Sequence, residues 1–228
     1  MAVLIGLEFM DRPAQKVGRD QVNYLADYRP IVIFVSSEQP HAIKFWWFKT
    51  KSMGAVLFFK VSDSCDTITF TATNITDGWR GIDFDNTTSN NDTSKIKHCK
   101  IQYGKATGVE PDDRGGAIYL RNFSKVRITH SRITNNYANQ RGGAIYCENS
   151  SPYIADNVIS NNVTLWRGGG IDLSGISDPF ILRNTISYNS TTLTTSCGNC
   201  NGGGGGIYIS GNSNGYILNN VLSHNTCA

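Results

Sequence analysis

The sequence predicts an all-β solenoid with an irregular N-terminal cap. Three observations carry this: a G-G-x-I unit that occurs four times, an I-x4-I-x2-N unit that recurs between its copies, and the shortness of every apolar run. The first unit stands as GGAIY at 115–119 and 142–146, GGGID at 168–172 and GGGIY at 204–208. The second places Ile128, Ile133 and Asn136 in one repeat, then Ile154, Ile159 and Asn162, then Ile181, Ile186 and Asn189, then Ile217, Leu222 and Asn225. The steps between Ile118, Ile145, Ile171 and Ile207 are 27, 26 and 36 residues, so the third step carries an insertion, TTLTTSCGNCNG.

A repeat built from helix pairs has apolar residues spaced by 3.6 over ten or more positions. The runs here are three to five residues long and alternate with period two, so they read as strands. Ile118 and Leu120 then face inward and Tyr119 outward, and Ile145 with Cys147, Ile171 with Leu173 and Ile207 with Ile209 repeat the arrangement. One such unit cannot bury its inner face alone, whereas turns stacked at about 4.8 Å share a continuous core. About six turns are expected, on the order of 30 Å of stacked strands. Ser131, Asn157, Asn184 and Asn220 precede the second isoleucine (or its leucine equivalent) of each repeat, and Asn136, Asn162, Asn189 and Asn225 follow it. Asn side chains in register form hydrogen-bonded ladders, and Asn tolerates left-handed turns. The GG pairs suit corners that need a positive φ or a close backbone approach.

Upstream the repeat weakens. GWRGIDF places Ile82 and Phe84 inward, SKIKHCKIQYG carries Ile96 and Ile101, and DTITFTATN at 66–74 alternates as one more strand. The expected solenoid runs over residues 54–228. Residues 1–53, mixed in pattern and including Trp46 and Trp47, are expected either to cap its open end or to be an atypical segment from an imperfect gene start.

With 21 Lys+Arg against 18 Asp+Glu, the net charge is only +3, and no basic run is interleaved with aromatics, so nucleic acid is not an expected partner. No segment reaches the roughly 18 apolar residues of a membrane span, and the apolar start lacks a signal-peptide cleavage pattern. Of the six cysteines only Cys197 and Cys200 lie close, in CGNC. They are the disulfide candidate; a metal site is disfavoured because no second Cys/His pair is near.

With these motifs the chain resembles the right-handed parallel β-helix proteins of the pectate-lyase-like superfamily, in particular large secreted bacterial proteins. Its GGAI and I-x-x-N pairing is also similar to the repeats of chlamydial polymorphic outer-membrane proteins, whose passenger domains are surface-exposed adhesins. The resemblance covers roughly residues 54–227 and implies a right-handed helix and an extracellular or cell-surface location. The chain ends at SHNTCA directly after an Asn turn and reads as a fragment.

Polysaccharide lyases on this fold use acids that hold Ca²⁺ beside an Arg or Lys base, and its hydrolases use clustered carboxylates. Following the GG-I strands, the outward position after the isoleucine is Asp83, Tyr119, Tyr146, Asp172 and Tyr208. Two residues on stand Asp85, Arg121, Glu148, Ser174 and Ser210. Asp83, Asp85, Arg121 and Glu148 are the candidates for catalysis, and Ca²⁺ is a cofactor only in the lyase case. Mixed charges are also ordinary decoration of a sheet face. Tyr119, Tyr146, Asp172 and Tyr208 form a candidate binding face, since exposed aromatics in register take sugar rings or anchor a protein. His41, His98, His130 and His224 are isolated, and no nucleophilic triad emerges. Because the turns are nearly interchangeable, a non-catalytic module binding glycan or a surface protein is the favoured function. A lyase or glycoside hydrolase acting on an acidic polysaccharide is the alternative.

Overall fold

The computed structural model describes residues 3–5, 33–35, 42–44, 68–72, 74–87, 93–192 and 203–227. All regular structure in them is β, and no helix is long and apolar enough to cross a membrane. Each turn of the solenoid runs through four short strands. In one complete turn these are Ile118–Arg121, Val126–Thr129, Arg132–Thr134 and Tyr137–Ala138, and the chain then passes a GG corner to begin the next turn at Ile145. Equivalent strands of successive turns pair in parallel, which builds four sheets along a right-handed β-helix.

The first sheet stacks Ile82–Asp85, Ile118–Arg121, Ile145–Glu148, Ile171–Ser174 and Ile207–Ile209. In it Ile82, Ile118, Ile145, Ile171 and Ile207 stand in register. The second sheet stacks Ser94–Lys97, Val126–Thr129, Tyr153–Ala155, Phe180–Leu182 and Tyr216–Leu218. The third contains seven strands and reaches Ala42–Lys44, which pairs with Ile68–Thr71, so sheet pairing extends upstream of residue 54. Val3–Ile5 and Ile33–Val35 form a separate antiparallel pair. Trp46, Trp47, Cys65, Cys197, Cys200 and residues 193–202 of the insertion lie outside the described residues.

The inward stripe is closed. Ile118, Leu120, Ile128, Ile133, Ile145, Ile154, Ile159, Ile171, Ile181 and Ile186 are fully buried in one cluster that also takes Cys99 and Cys147, while Ile207 and Ile217 pack against it partly buried. Burial pushes the Cys99 thiol up to about 12.

Two ladders tie turn to turn. The Asn162 amide donates to Ile133 O and to Asn189 Oδ1, both at 2.9 Å, and its own Oδ1 accepts from the Asn136 backbone N and Nδ2. Asn157, Asn184 and Asn220 repeat the pattern, and Ser131 begins that ladder by accepting from the Cys99 backbone N. Left-handed geometry is not the work of these asparagines. It falls on the residue before each, Asn135, Asn161, Tyr188 and His224, whose φ values are 59°, 56°, 55° and 53°. The GG pair is divided in the same way. Gly142 takes φ 63°, and Gly143 follows where a side chain would meet neighbouring carbonyls.

Candidate functional site

Alternation sends every second residue of the first sheet outward, but outward is not exposed. Tyr119, Tyr146 and Asp172 are buried, which corrects the expectation of an open aromatic face; Tyr208 is half-buried. The cover is a row of arginines placed immediately before the glycine corners: Arg80, Arg114, Arg141 and Arg167. The last three stand in register through isolated parallel bridges, and the row ends at Gly203. Each guanidinium reaches forward one turn. Arg80 lies 5.7 Å from the Tyr119 ring, Arg114 5.6 Å from Tyr146 and Arg167 5.1 Å from Tyr208, each a cation facing an aromatic ring. Tyr119 and Tyr146 stack on each other at 5.6 Å. The arginines were legible as R-G-G at 114, 141 and 167, in the same alignment that found the glycines.

The catalytic candidates do meet on this face, as ion pairs. Arg121 grips Asp85 through two bonds of 2.7 and 2.8 Å, so its guanidinium is held charged by a bidentate partner. Arg80 lies 3.2 Å from Asp83, and Arg114 lies 3.9 Å from Glu148, which sits beside Arg121 in register. Among the described residues no three His, Cys, Asp or Glu side chains are grouped to hold a metal ion. Asp83 and Asp85 are already taken up by arginines and do not fit a Ca²⁺ site.

Asp172 breaks the pattern. It occupies the rung where Arg141 would otherwise cover a tyrosine, it is 0% exposed, and neither carboxylate oxygen has a hydrogen-bond partner in the protein. Arg141 bonds Ser174 Oγ at 3.2 Å instead, and Arg167 lies between the Trp166 and Tyr208 rings at 4.9 and 5.1 Å. Burial raises the Asp172 carboxyl to about 7, against the pull of Arg141, Arg167 and Arg114. The folded state therefore holds a proton that the unfolded chain releases near pH 4. Stability from this group is greatest below pH 4, falls as pH rises, and the loss is complete above about pH 7. Asp172→Asn is expected to flatten this slope and to raise stability at pH 8 by on the order of 3 kcal/mol. Urea unfolding of both proteins at pH 5 and pH 8 measures it; equal pH slopes would refute a carboxyl titrating there.

The second sheet carries an outer row not singled out from sequence. Lys95, Arg127, Tyr153, Phe180 and Tyr216 are aligned in register, each directly before the first isoleucine of the I-x4-I-x2-N unit or its upstream copy. Phe180 is 47% and Tyr216 57% exposed, their rings stack at 4.9 Å, and Arg127 lies 4.4 Å over Tyr153.

Stacked parallel sheets, a continuous isoleucine core and Asn ladders define the class, a parallel β-helix repeat protein. A family model described as a right-handed beta helix region matches residues 88–228, more than half of the chain, and the chain belongs to that family. No curated protein and no solved structure matches it.

Proposed function

We propose that this β-helix is a non-catalytic recognition module, secreted or displayed at the cell surface, that binds glycan through its solenoid faces. The observation that carries the reading is the outer row of exposed Arg127, half-buried Tyr153 and exposed Phe180 and Tyr216, a strip of aromatic surface with a cation at one end. Aromatic rings at an interface give large contact area at low entropic cost. The acids an enzyme would use, Asp83, Asp85 and Glu148, each have an arginine neighbour instead of facing an open site. A surface protein is the other partner class that such a strip suits.

Retention on a panel of plant and microbial polysaccharides tests the proposal. Phe180→Ala and Tyr216→Ala are each expected to weaken binding roughly tenfold, while Tyr188→Ala, exposed on another face, leaves it unchanged. Equal binding by all three variants would remove the aromatic row from the reading. A lyase or glycoside hydrolase is the second reading, favoured by the grouping of Asp85, Arg121 and Glu148 side by side on one sheet face. Unsaturated or reducing ends released from the same polymers would establish it.

A further inference from the structure

The ladder of arginines over tyrosines on the first sheet has a consistent rule, and Asp172 departs from it at a cost. A tyrosine at that rung would continue the Tyr119–Tyr146 stack toward Tyr208, beneath Arg141. The carboxyl that stands there instead is buried with both oxygens unpaired, a state that disfavours the fold. Departures of this kind from an otherwise uniform local pattern concentrate where a protein binds something.

The groups around Asp172 show what is missing. Arg141 Nε, Arg167 Nε and Trp166 Nε1 are buried donors without an acceptor, and both carboxyl oxygens of Asp172 are buried without a partner. An anion would satisfy the arginines but would meet Asp172 and the nearby Glu148; a cation would satisfy the carboxyl but would meet Arg114, Arg141 and Arg167. A neutral ligand with hydroxyls satisfies both sets, because each hydroxyl donates once and still accepts. A pair of adjacent hydroxyls also matches the spacing of two carboxylate oxygens. Arg141, Arg167 and Trp166 are half-buried, and a ligand reaches Asp172 only if these outermost side chains move aside, a motion that belongs to the proposal below.

We propose that Asp172, Arg141, Arg167 and Trp166 form a subsite for one neutral sugar unit bearing free vicinal hydroxyls, with the two hydroxyls on the Asp172 carboxylate. The assignment rests on the glycan-binding reading and adds a second face to it. Hydrogen bonds to a charged acceptor are the strong kind, and the Asp172 carboxyl is such an acceptor above about pH 7, where it has released its proton.

The test uses dextran, yeast mannan and xylan, their periodate-oxidised forms in which vicinal diols are cleaved, and polygalacturonate as the anionic comparator. Wild-type protein is expected to bind at least one neutral polymer, and periodate treatment to abolish that binding. Asp172→Asn, which preserves shape, should weaken it about tenfold or more. Asp172→Tyr should abolish it while raising the melting temperature, because the ladder becomes continuous. If Asp172→Tyr fails to fold, Asp172→Asn alone carries the result. Binding confined to polygalacturonate, or unchanged in the Asp172 variants, overturns the subsite. If binding survives at Asp172 but falls in Phe180→Ala, the subsite is wrong and the glycan reading stands. If no polymer is retained, both fall. Ordered water alone at Asp172 in crystals soaked with the bound oligosaccharide would also overturn it.

Discussion

Gly143→Ala is expected to prevent the native solenoid from forming, or to cost more than about 4 kcal/mol where it still forms. A Cβ at this position overlaps the carbonyl of Gly169 on the next turn and lies 2.7 Å from the carbonyl oxygen of Val163. Both obstacles are backbone, so no side-chain rotation relieves them. The chain cannot retreat either, since the Gly143 N–H donates to Gly168 O at 2.9 Å and the flanking strand is fixed in register at Ile145. Equivalent overlaps recur at Gly116, Gly169 and Gly205, so the corner is a column of close backbone contacts running along the axis. Gly203→Ala is the matched control. Its Cβ would meet only the Tyr208 ring at 3.6 Å, an ordinary contact, and it should fold and melt like the parent. Circular dichroism and urea titration of the two variants decide the matter; a Gly143→Ala protein as stable as Gly203→Ala would show that the turns slide apart more freely than their packing implies.

The inner half of this protein is legible in its sequence because one property, apolarity at fixed spacing, decides what lies inside. Ile118, Ile145 and Ile171 stack because any other register would expose one of them. The Asn ladders are legible for the same reason: a polar residue that recurs at a buried spacing needs a partner, and its own copy one turn away is the nearest. The outer half is written differently. Whether Tyr146 is exposed depends on Arg114, which is distant in sequence, precedes the glycine corner of the previous turn, and covers it only because that side chain is long enough to reach forward. Period-two alternation separates inside from outside but not bare from covered, so a buried arginine and tyrosine layer reads as an exposed aromatic stripe. The strip at Tyr153, Phe180 and Tyr216 was equally accessible to alignment, yet its positions vary between Lys, Arg, Tyr and Phe, and variable outer residues carry no repeat signal. Asp172 was visible as the one acid among the tyrosines of the GG repeats. Its unpaired oxygens were not, because they follow from where Arg141 and Arg167 place their guanidinium groups.

Asn162→Ala is expected to be strongly destabilising, at about 4 kcal/mol or more. Four hydrogen bonds end on this amide. It donates to Ile133 O and Asn189 Oδ1, and accepts from the backbone N and from Nδ2 of Asn136. All of these groups are buried, so alanine takes a partner from two donors of Asn136 and from the carbonyl of Ile133 on the preceding turn, and takes from Asn189 Oδ1 on the next turn one of its two donors. At about 1 kcal/mol for each bond, with a further penalty for each stranded group, the loss approaches the whole stability of an ordinary domain. Its position matters as much as its size. In a solenoid, stability is transmitted through nearest-neighbour interfaces, and Asn162 stands between the turns of Asn136 and Asn189. The variant should therefore unfold in two steps or with a lowered m-value, as the turns on either side separate from each other before either melts. Asn139→Ala removes a single exposed bond of 3.3 Å to Thr107 O and is expected to cost about 0.5 kcal/mol with an unchanged m-value. Urea unfolding followed by tryptophan fluorescence and by circular dichroism compares the two. A single coincident transition for Asn162→Ala, displaced no further than that of Asn139→Ala, would mean that backbone pairing alone holds the turns together and that the ladder contributes register without stability.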